Sequence, residues 1–224
     1  MTAPSQLPPP AGPTIRAQIE RVDAATTAAA AVLPASTLHE AAGRIGVLPT
    51  AIKPVAPHHR ICGPAVTVHS PGGDNLWLHR AIYVAQPGDV LVVHVSGVFD
   101  YGYWGEIMSS AAQARGLAGL VIDGCVRDGQ VLRESTLPVF ARGLSIRGTG
   151  KDQGAIGWIN APLLFEGVTV LPGDLILGDA DGVVAIPRAR AAQVVEASMK
   201  REALEANVMR RLREGERTME VYQF

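Results

Sequence analysis

The sequence is short of cysteine, aromatic residues and charge, and each shortage removes a class of function. Two cysteines, Cys62 and Cys125, cannot build a disulfide framework and lack metal-site spacing. Each is read as a small filler of an apolar gap in a reducing compartment. Aromatic residues make up 5% of the chain, too few for a platform on which bases stack. Charged residues are 18%, and 20 basic against 21 acidic side chains leave a net charge of −1. No run of Lys and Arg could follow a phosphate backbone, so no nucleic-acid partner is expected. No apolar run approaches the roughly 18 residues that a membrane span needs. The alanine-rich stretch Ala24–Leu33 follows Arg16, Glu20, Arg21 and Asp23 in a helical pattern, which is not how a secretory leader begins. The expected location is cytoplasmic, with no membrane partner.

What is present is a hydrophobic content of 47% over 224 residues, enough for one well-buried domain. Residues 1–13 are Pro-rich and read as a flexible tail; residues 14–224 read as a single domain with a C-terminal helical extension from about 188. A helix is expected from about Thr14 to Val32, stopping before Pro34. A second, short one is expected from Thr37, where Thr37-Leu38-His39-Glu40 fits a capping box and Gly43 suits a helix end. Ala65–Val68 reads as a strand, Ser70–Gly73 as a turn, and Asp74 or Asn75 as the cap of a helix through Ala85. Val90–Val93 reads as a buried strand. Then come a helix Gly105–Arg115, a strand Leu120–Ile122, a helix near Gln130–Ser135 and a strand Val139–Ala141. Segment 143–187 is richer in strands, at Val168–Leu171, Leu175–Leu177 and Val183–Ile186, and a long helix begins at Arg188. The pattern predicts an α/β core whose parallel strands are flanked by a second sheet layer.

One stretch concentrates chemistry: Gly105-Glu106-Ile107-Met108 through Asp123-Gly124-Cys125-Val126-Arg127-Asp128. A helix of about 11 residues rises about 16 Å, and a returning strand of about five residues covers a similar distance. Gly116 turns the chain between them. The helix start and the strand end therefore fall at one edge of the sheet, and Glu106 meets Arg127-Asp128 although twenty residues separate them. That edge is where open α/β sheets bind ligands. The first-turn amides of residues 105–108 suit a substrate carboxylate. Asp128 and Glu106 offer the hard oxygens that Mg²⁺ or Mn²⁺ prefers. Arg127 offers a permanent cation with a fork of donors. Ordinary readings stand beside these. Glu106 complements a helix dipole, Arg127 and Asp128 form a surface ion pair, Asp74 caps a helix, Glu40 closes its capping box, and His79 is a partly buried helix residue.

At these residues the chain resembles the class II pyruvate aldolases of the 4-hydroxy-4-methyl-2-oxoglutarate aldolase and oxaloacetate decarboxylase type, which share a fold with the regulator of ribonuclease activity A. The resemblance spans about residues 36–190. It rests on Thr37–Ala41, Gly63–Val68, Gly73–Leu76, Gln86–Val93, Gly105-Glu106, Ala114–Gly116, Gly119–Gly124, Val126–Asp128, Pro172–Asp174 and Asp181–Val184, in that order. The enzyme branch is marked by an acid, twenty positions, then Arg-Asp. Glu106, Arg127 and Asp128 meet that pattern, while Val131 stands where the family often has an acid.

The resemblance implies a single three-layer β/β/α domain of the swivelling type, assembled as a homotrimer or homohexamer with its active sites between subunits. It implies that Asp128 binds the divalent metal, that Glu106 orients the metal's waters, and that Arg127 contacts the keto oxygen of a small 2-oxo acid. The amides of Gly105, Glu106, Ile107 and Met108 then hold the pyruvyl carboxylate. A neighbouring subunit's C-terminal helix supplies a glutamate, for which Glu205 fits best and Glu202 is the alternative. The expected activity is a lyase reaction through a pyruvate enolate, by retro-aldol cleavage or oxaloacetate decarboxylation. It needs no lysine Schiff base; Lys53, Lys151 and Lys200, the only lysines, lie outside the segment. The alternative from another class is a non-catalytic regulator that binds a ribonuclease. A methyltransferase reading lacks a glycine-rich loop after an early strand.

Overall fold

The computed structural model describes residues 8–12 and 14–224. The expected tail therefore falls largely on positions, 1–7 and 13, outside the described residues. Two short helices come first, α1 (Ala24–Ala30) and α2 (Ala35–Ala41), then strands β1 (Lys53–Pro54) and β2 (Ile61–His69). Next are helix α3 (Leu76–Val84), β3 (Val90–His94), α4 (Glu106–Ala114), β4 (Gly119–Asp123), β5 (Cys125–Val126), α5 (Gly129–Glu134) and β6 (Val139–Ala141). The remaining strands are β7 (Gly143–Leu144), β8 (Trp158–Ile159), β9 (Leu163–Phe165), β10 (Val168–Val170), β11 (Leu175–Asp179) and β12 (Gly182–Ile186), before α6 (Arg188–Arg213) and α7 (Thr218–Tyr222).

The main sheet runs β1-β6-β4-β3-β2-β11-β12, with β8 also on β2. Strands β2, β3, β4 and β6 are parallel, and β11 and β12 continue antiparallel. The sheet curls until its ends approach: Lys53 Nζ of β1 donates to the Asp181 carbonyl beside β12. Side-chain alternation along each strand then serves two layers. Leu91, Val93, Leu120 and Ile122 pack against α3 and α4, while Val90, Val92 and Val121 face inward against Phe165, Ile176 and Val183. On β11 and β12 the outward residues Leu175, Leu177, Val184 and Ile186 are covered by α1, α2 and α6. This is the α/β, β/β/α layering expected, with an outer helical cover added.

Several local expectations are corrected. The helix predicted over Thr14–Val32 forms only at Ala24–Ala30. Upstream of it the chain is extended, with Ile159 N–H donating to Thr14 O at 2.7 Å and Arg16 N–H to Ile159 O at 3.2 Å. Backbone pairing with Ile159 outweighs the local helical pattern of residues 14–23 here, and Asp23 sets the true start by accepting from Thr26 N–H at 2.8 Å. Helix α2 begins two residues before the predicted Thr37, and the capping box is not made. Ala35 N–H is instead capped from a distance by Asp179 at 2.9 Å, Thr37 Oγ1 donates to Glu202 at 2.6 Å, and Glu40 pairs with Arg44. At α3 Asn75 takes the N-cap position without a side-chain bond to the helix, while Asp74 supplies the acceptor, for Leu76 N–H at 2.8 Å.

Candidate active site

Two chain segments meet at the carboxyl edge of the parallel strands. One is the entry to α4, the other the exit from β4 through β5. Arg127 N–H donates to Trp104 O at 2.8 Å, and Glu106 N–H donates to Asp128 Oδ2 at 2.9 Å. The predicted convergence of Glu106 with Arg127-Asp128 is thus present in the backbone. Gly105 is what allows it: a Cβ there would stand 2.3 Å from Asp128 Oδ2 and 3.0 Å from Arg127 Cγ. Asp128 itself is left-handed, with φ 57°, a conformation that Asp and Asn tolerate better than other side chains. Its carboxylate occupies the N-terminal end of α4, where the helix dipole favours an anion. The Arg127 Nε lies 3.8 Å from Asp128 Oδ2, with both side chains partly in solvent.

Beside this junction opens a cleft of about 120 Å³ lined by Gly105, Ile107, Met108 and Arg127, and also by Asn75, His79, Tyr103 and Lys151. The lining is cationic. Burial, then the nearby Lys151, push His79 below the ordinary histidine value while Asp74 opposes them, favouring the neutral imidazole. Asn75 is buried; its Nδ2 donates to Tyr103 O at 2.9 Å and its Oδ1 has no partner among the described residues. Because that contact is a carbonyl, the nitrogen must face it, so the amide orientation follows from chemistry. The Glu106 side chain does not line this cleft. It borders an adjoining groove with Ser110, Gln113 and Glu134.

Sequence reasoning missed Asn75, His79, Tyr103 and Lys151 as cleft residues. Asn75 and His79 come after the end of β2, so the carboxyl-edge rule applied to that strand would have found them. Lys151 arrives on a long loop, held because Asp74 Oδ2 accepts from Asp152 N–H at 2.6 Å and Asn75 N–H donates to Gly150 O at 3.3 Å. No local pattern announces that.

Among the described residues no group of three or more His, Cys, Asp or Glu side chains could by itself hold a metal ion. The donor set fits a lighter demand. Mg²⁺ typically takes one or two carboxylates and fills its remaining positions with water and substrate oxygens. Asp128, with one oxygen fixed by a backbone amide, has the oriented form of such a ligand. Of the two C-terminal candidates, Glu202 is engaged by Thr37 of its own chain, and Glu205 pairs with Arg201 at 2.7 Å on the outer part of α6.

Comparison with known proteins agrees with this architecture. A protein of Halalkalibacterium halodurans, provisionally named a 4-hydroxy-4-methyl-2-oxoglutarate aldolase, is 37% identical over 171 residues, covering 76% of this chain and 80% of the relative. The crystal structure of an uncharacterised Pseudomonas syringae protein superposes with a TM-score of 0.80 at 28% identity, covering 92% of this chain and 96% of that one. Streptomyces coelicolor RraAS2, described as an unusual member of the RNase ES inhibitor RraA family, gives 0.75 at 27% identity, covering 86% and 99%. Residues 22–185 match the family profile described as RraA-like, aldolase/RraA. The chain belongs to the RraA-like family.

Proposed function

We propose that this protein is a divalent-metal-dependent carbon–carbon lyase for small 2-oxo acids. It cleaves 4-hydroxy-4-methyl-2-oxoglutarate-type substrates by retro-aldol chemistry, decarboxylates oxaloacetate, or does both. The observation that carries the reading is the Asp128 carboxylate, fixed through Oδ2 by the Glu106 amide and set beside Arg127, which lines a cationic cleft.

Both reactions share one hard step, leaving an electron pair on carbon next to a ketone. Asp128 would hold Mg²⁺ or Mn²⁺ directly, with Glu106 and Glu205 of a neighbouring subunit acting on it through water. Bound there, the ion would supply Lewis-acid polarisation of the keto oxygen. The chain's own groups do the rest. The guanidinium of Arg127 stabilises negative charge as it develops on the enolate oxygen, as an oxyanion-hole donor does. The first-turn amides of Ile107 and Met108 bind the 1-carboxylate. Glu106 N–H, already given to Asp128, orients the carboxylate and is not spent on substrate. Lys151 and the neutral His79 face the distal part of the substrate, where a second carboxylate finds a cation and an imidazole can move a proton.

The test is oxaloacetate decarboxylation with Mg²⁺ or Mn²⁺ and with a chelator. Asp128→Asn suits the left-handed position and keeps an acceptor for Glu106 N–H, so it should fold normally and lose about 100-fold or more in kcat/KM. Arg127→Lys should lose about tenfold, because a point charge cannot reproduce the fork. Chelator-resistant turnover, or wild-type rates from Asp128→Asn, would overturn the assignment. The similarity to RraAS2 keeps a second reading in view, a non-catalytic partner of a ribonuclease. Absence of turnover together with ribonuclease binding would select it.

A further inference from the structure

Three polar side chains end three neighbouring parallel strands in register: His69 of β2, His94 of β3 and Asp123 of β4. By two-residue alternation they share the inner face with Val92 and Val121, and all three are buried. The His69 ring lies flat on the Trp158 indole, 3.7 Å between centroids, and 5.6 Å from the His94 ring. Phe165 of β9 meets His94 edge-on. Asp123 is committed to Arg142, whose Nε donates to it at 2.6 Å while Nη2 reaches Glu166 at 3.3 Å.

What both histidines hold is Ser96. Its N–H donates to His94 Nδ1 at 3.2 Å, and its Oγ lies 3.1 Å from His69 Nε2 and donates to Ser70 O at 3.0 Å. A hydroxyl has one proton. With that proton given to Ser70 O, His69 Nε2 must be the donor to Oγ, and His94 Nδ1 must be bare to accept from Ser96 N–H. Ser96 is left-handed, with φ 57°, so it needs such external support.

The supported turn is tied to the cleft. Gly72 passes so close beneath Val98 that a Cβ would stand 2.5 Å from Val98 Cγ2. Tyr103 Oη accepts from Gly73 N–H at 2.7 Å and donates to Val98 O at 2.5 Å, while Tyr103 O accepts from Asn75. Asn75 and Tyr103 are cleft residues.

We infer that His94 and His69 are positioning residues whose neutral rings latch the Ser96–Val98 turn, and with it the cleft wall of Asn75 and Tyr103, and that protonation of His94 releases the latch. The inference rests on reading the cleft as the keto-acid site. An imidazolium carries N–H on both nitrogens, so a charged His94 would set N–H against Ser96 N–H. The groups facing His94 are His69 from β2, Asp123 from β4 and Arg142 after β6. Burial holds His94 below the ordinary histidine value; Asp123 opposes this and Arg142 adds to it. Burial and then His94 lower His69 to about 4. The latch is therefore closed at neutral pH and opens on acidification.

Two measurements test it on the protein with Mg²⁺. Long-range ¹H–¹⁵N spectra of the wild-type imidazoles at about pH 7.5 should show His94 bare at Nδ1; a proton on Nδ1 overturns the latch. Steady-state decarboxylation of oxaloacetate, followed from about pH 7.5 down to the lowest pH at which the protein stays folded, should show KM rising as His94 takes its proton, toward about tenfold, the scale of one lost buried hydrogen bond, with kcat moving much less. His94→Asn keeps an acceptor that does not titrate and should hold its neutral-pH KM throughout that range. His94→Leu should show the raised KM at every pH. Parallel pH profiles for wild type and His94→Asn would refute the inference. A protein without turnover removes the lyase reading, and the latch is then decided by the spectra alone.

Discussion

At Gly105 one missing Cβ decides the geometry of the site. Its φ of −162° is ordinary extended backbone, so the requirement for glycine is steric and not conformational. Gly105→Ala should displace Asp128 and Arg127 together, lowering kcat/KM about tenfold or more while the thermal midpoint moves only a few degrees. Unchanged kinetics with the same stability would show that the close approach is irrelevant to turnover. Arg127 and Asp128 are legible in the sequence because a helix and a returning strand of matching rise bring them back to the edge where α4 begins. Lys151 is not, since an amine on a distant loop carries no signal until folding brings it to the cleft, whereas Asn75 and His79 follow the end of β2.

Among elements, the two Pro-Gly-Asp turns show how far a local pattern reaches. Asp89 closes the first by accepting from Gln86 N–H at 2.7 Å, and Asp174 closes the second by accepting from Leu171 N–H at 2.8 Å. Gly88 and Gly173 take the positive φ that each turn needs, at 86° and 83°. The long-range partner of Asp89 has no such local sign. Asp89 is buried and takes a bidentate pair from Arg21, 68 residues earlier, at 2.7 and 2.8 Å. Asp89→Ala should therefore cost about 3 kcal/mol, because it leaves a half-sheltered guanidinium unpaired as well as opening the turn. Denaturant midpoints of the single variants Asp89→Ala and Arg21→Met and of the double variant would check it; additivity would rule out the pair as the cause. The first helix does not extend back to Thr14 as its local pattern suggests, for a related reason. Residues before Asp23 satisfy their backbone on Ile159 and Gly173, partners that local propensity cannot see.

For the molecule as a whole, acid is the informative stress. His69 is held neutral, its value lowered from 6.5 to about 4 chiefly by burial. The unfolded chain takes up that proton first, so the stability is complete above about pH 6.5 and is lost as pH falls toward about 4. The loss is roughly 3 kcal/mol at order of magnitude. Denaturation series at about pH 7 and about pH 4.5 should show it, and His69→Phe, which keeps a ring on Trp158, should flatten the slope. An equally steep slope in that variant would exclude His69 as its source. The second whole-molecule prediction concerns α6, whose buried residues end at Ser198. Truncation after Lys200 should leave the three cores folded by circular dichroism. It should lower both the assembly mass by light scattering and the lyase rate if Glu205 serves a neighbouring site. Full activity in a monodisperse truncated protein would remove Glu205 from the mechanism.

The order β2, α3, β3, α4, β4, α5, β6, the carboxyl-edge position of Arg127-Asp128 and its meeting with the α4 start were determined by the sequence alone, since periodicity, turn residues and rise per residue are local properties. Only the tertiary structure decided which way Glu106 turns, which residues complete the cleft, and that His69, His94 and Asp123 stand abreast. Strand register and loop path arise from packing between segments far apart in the chain, and those energies have no signature in any short window of it.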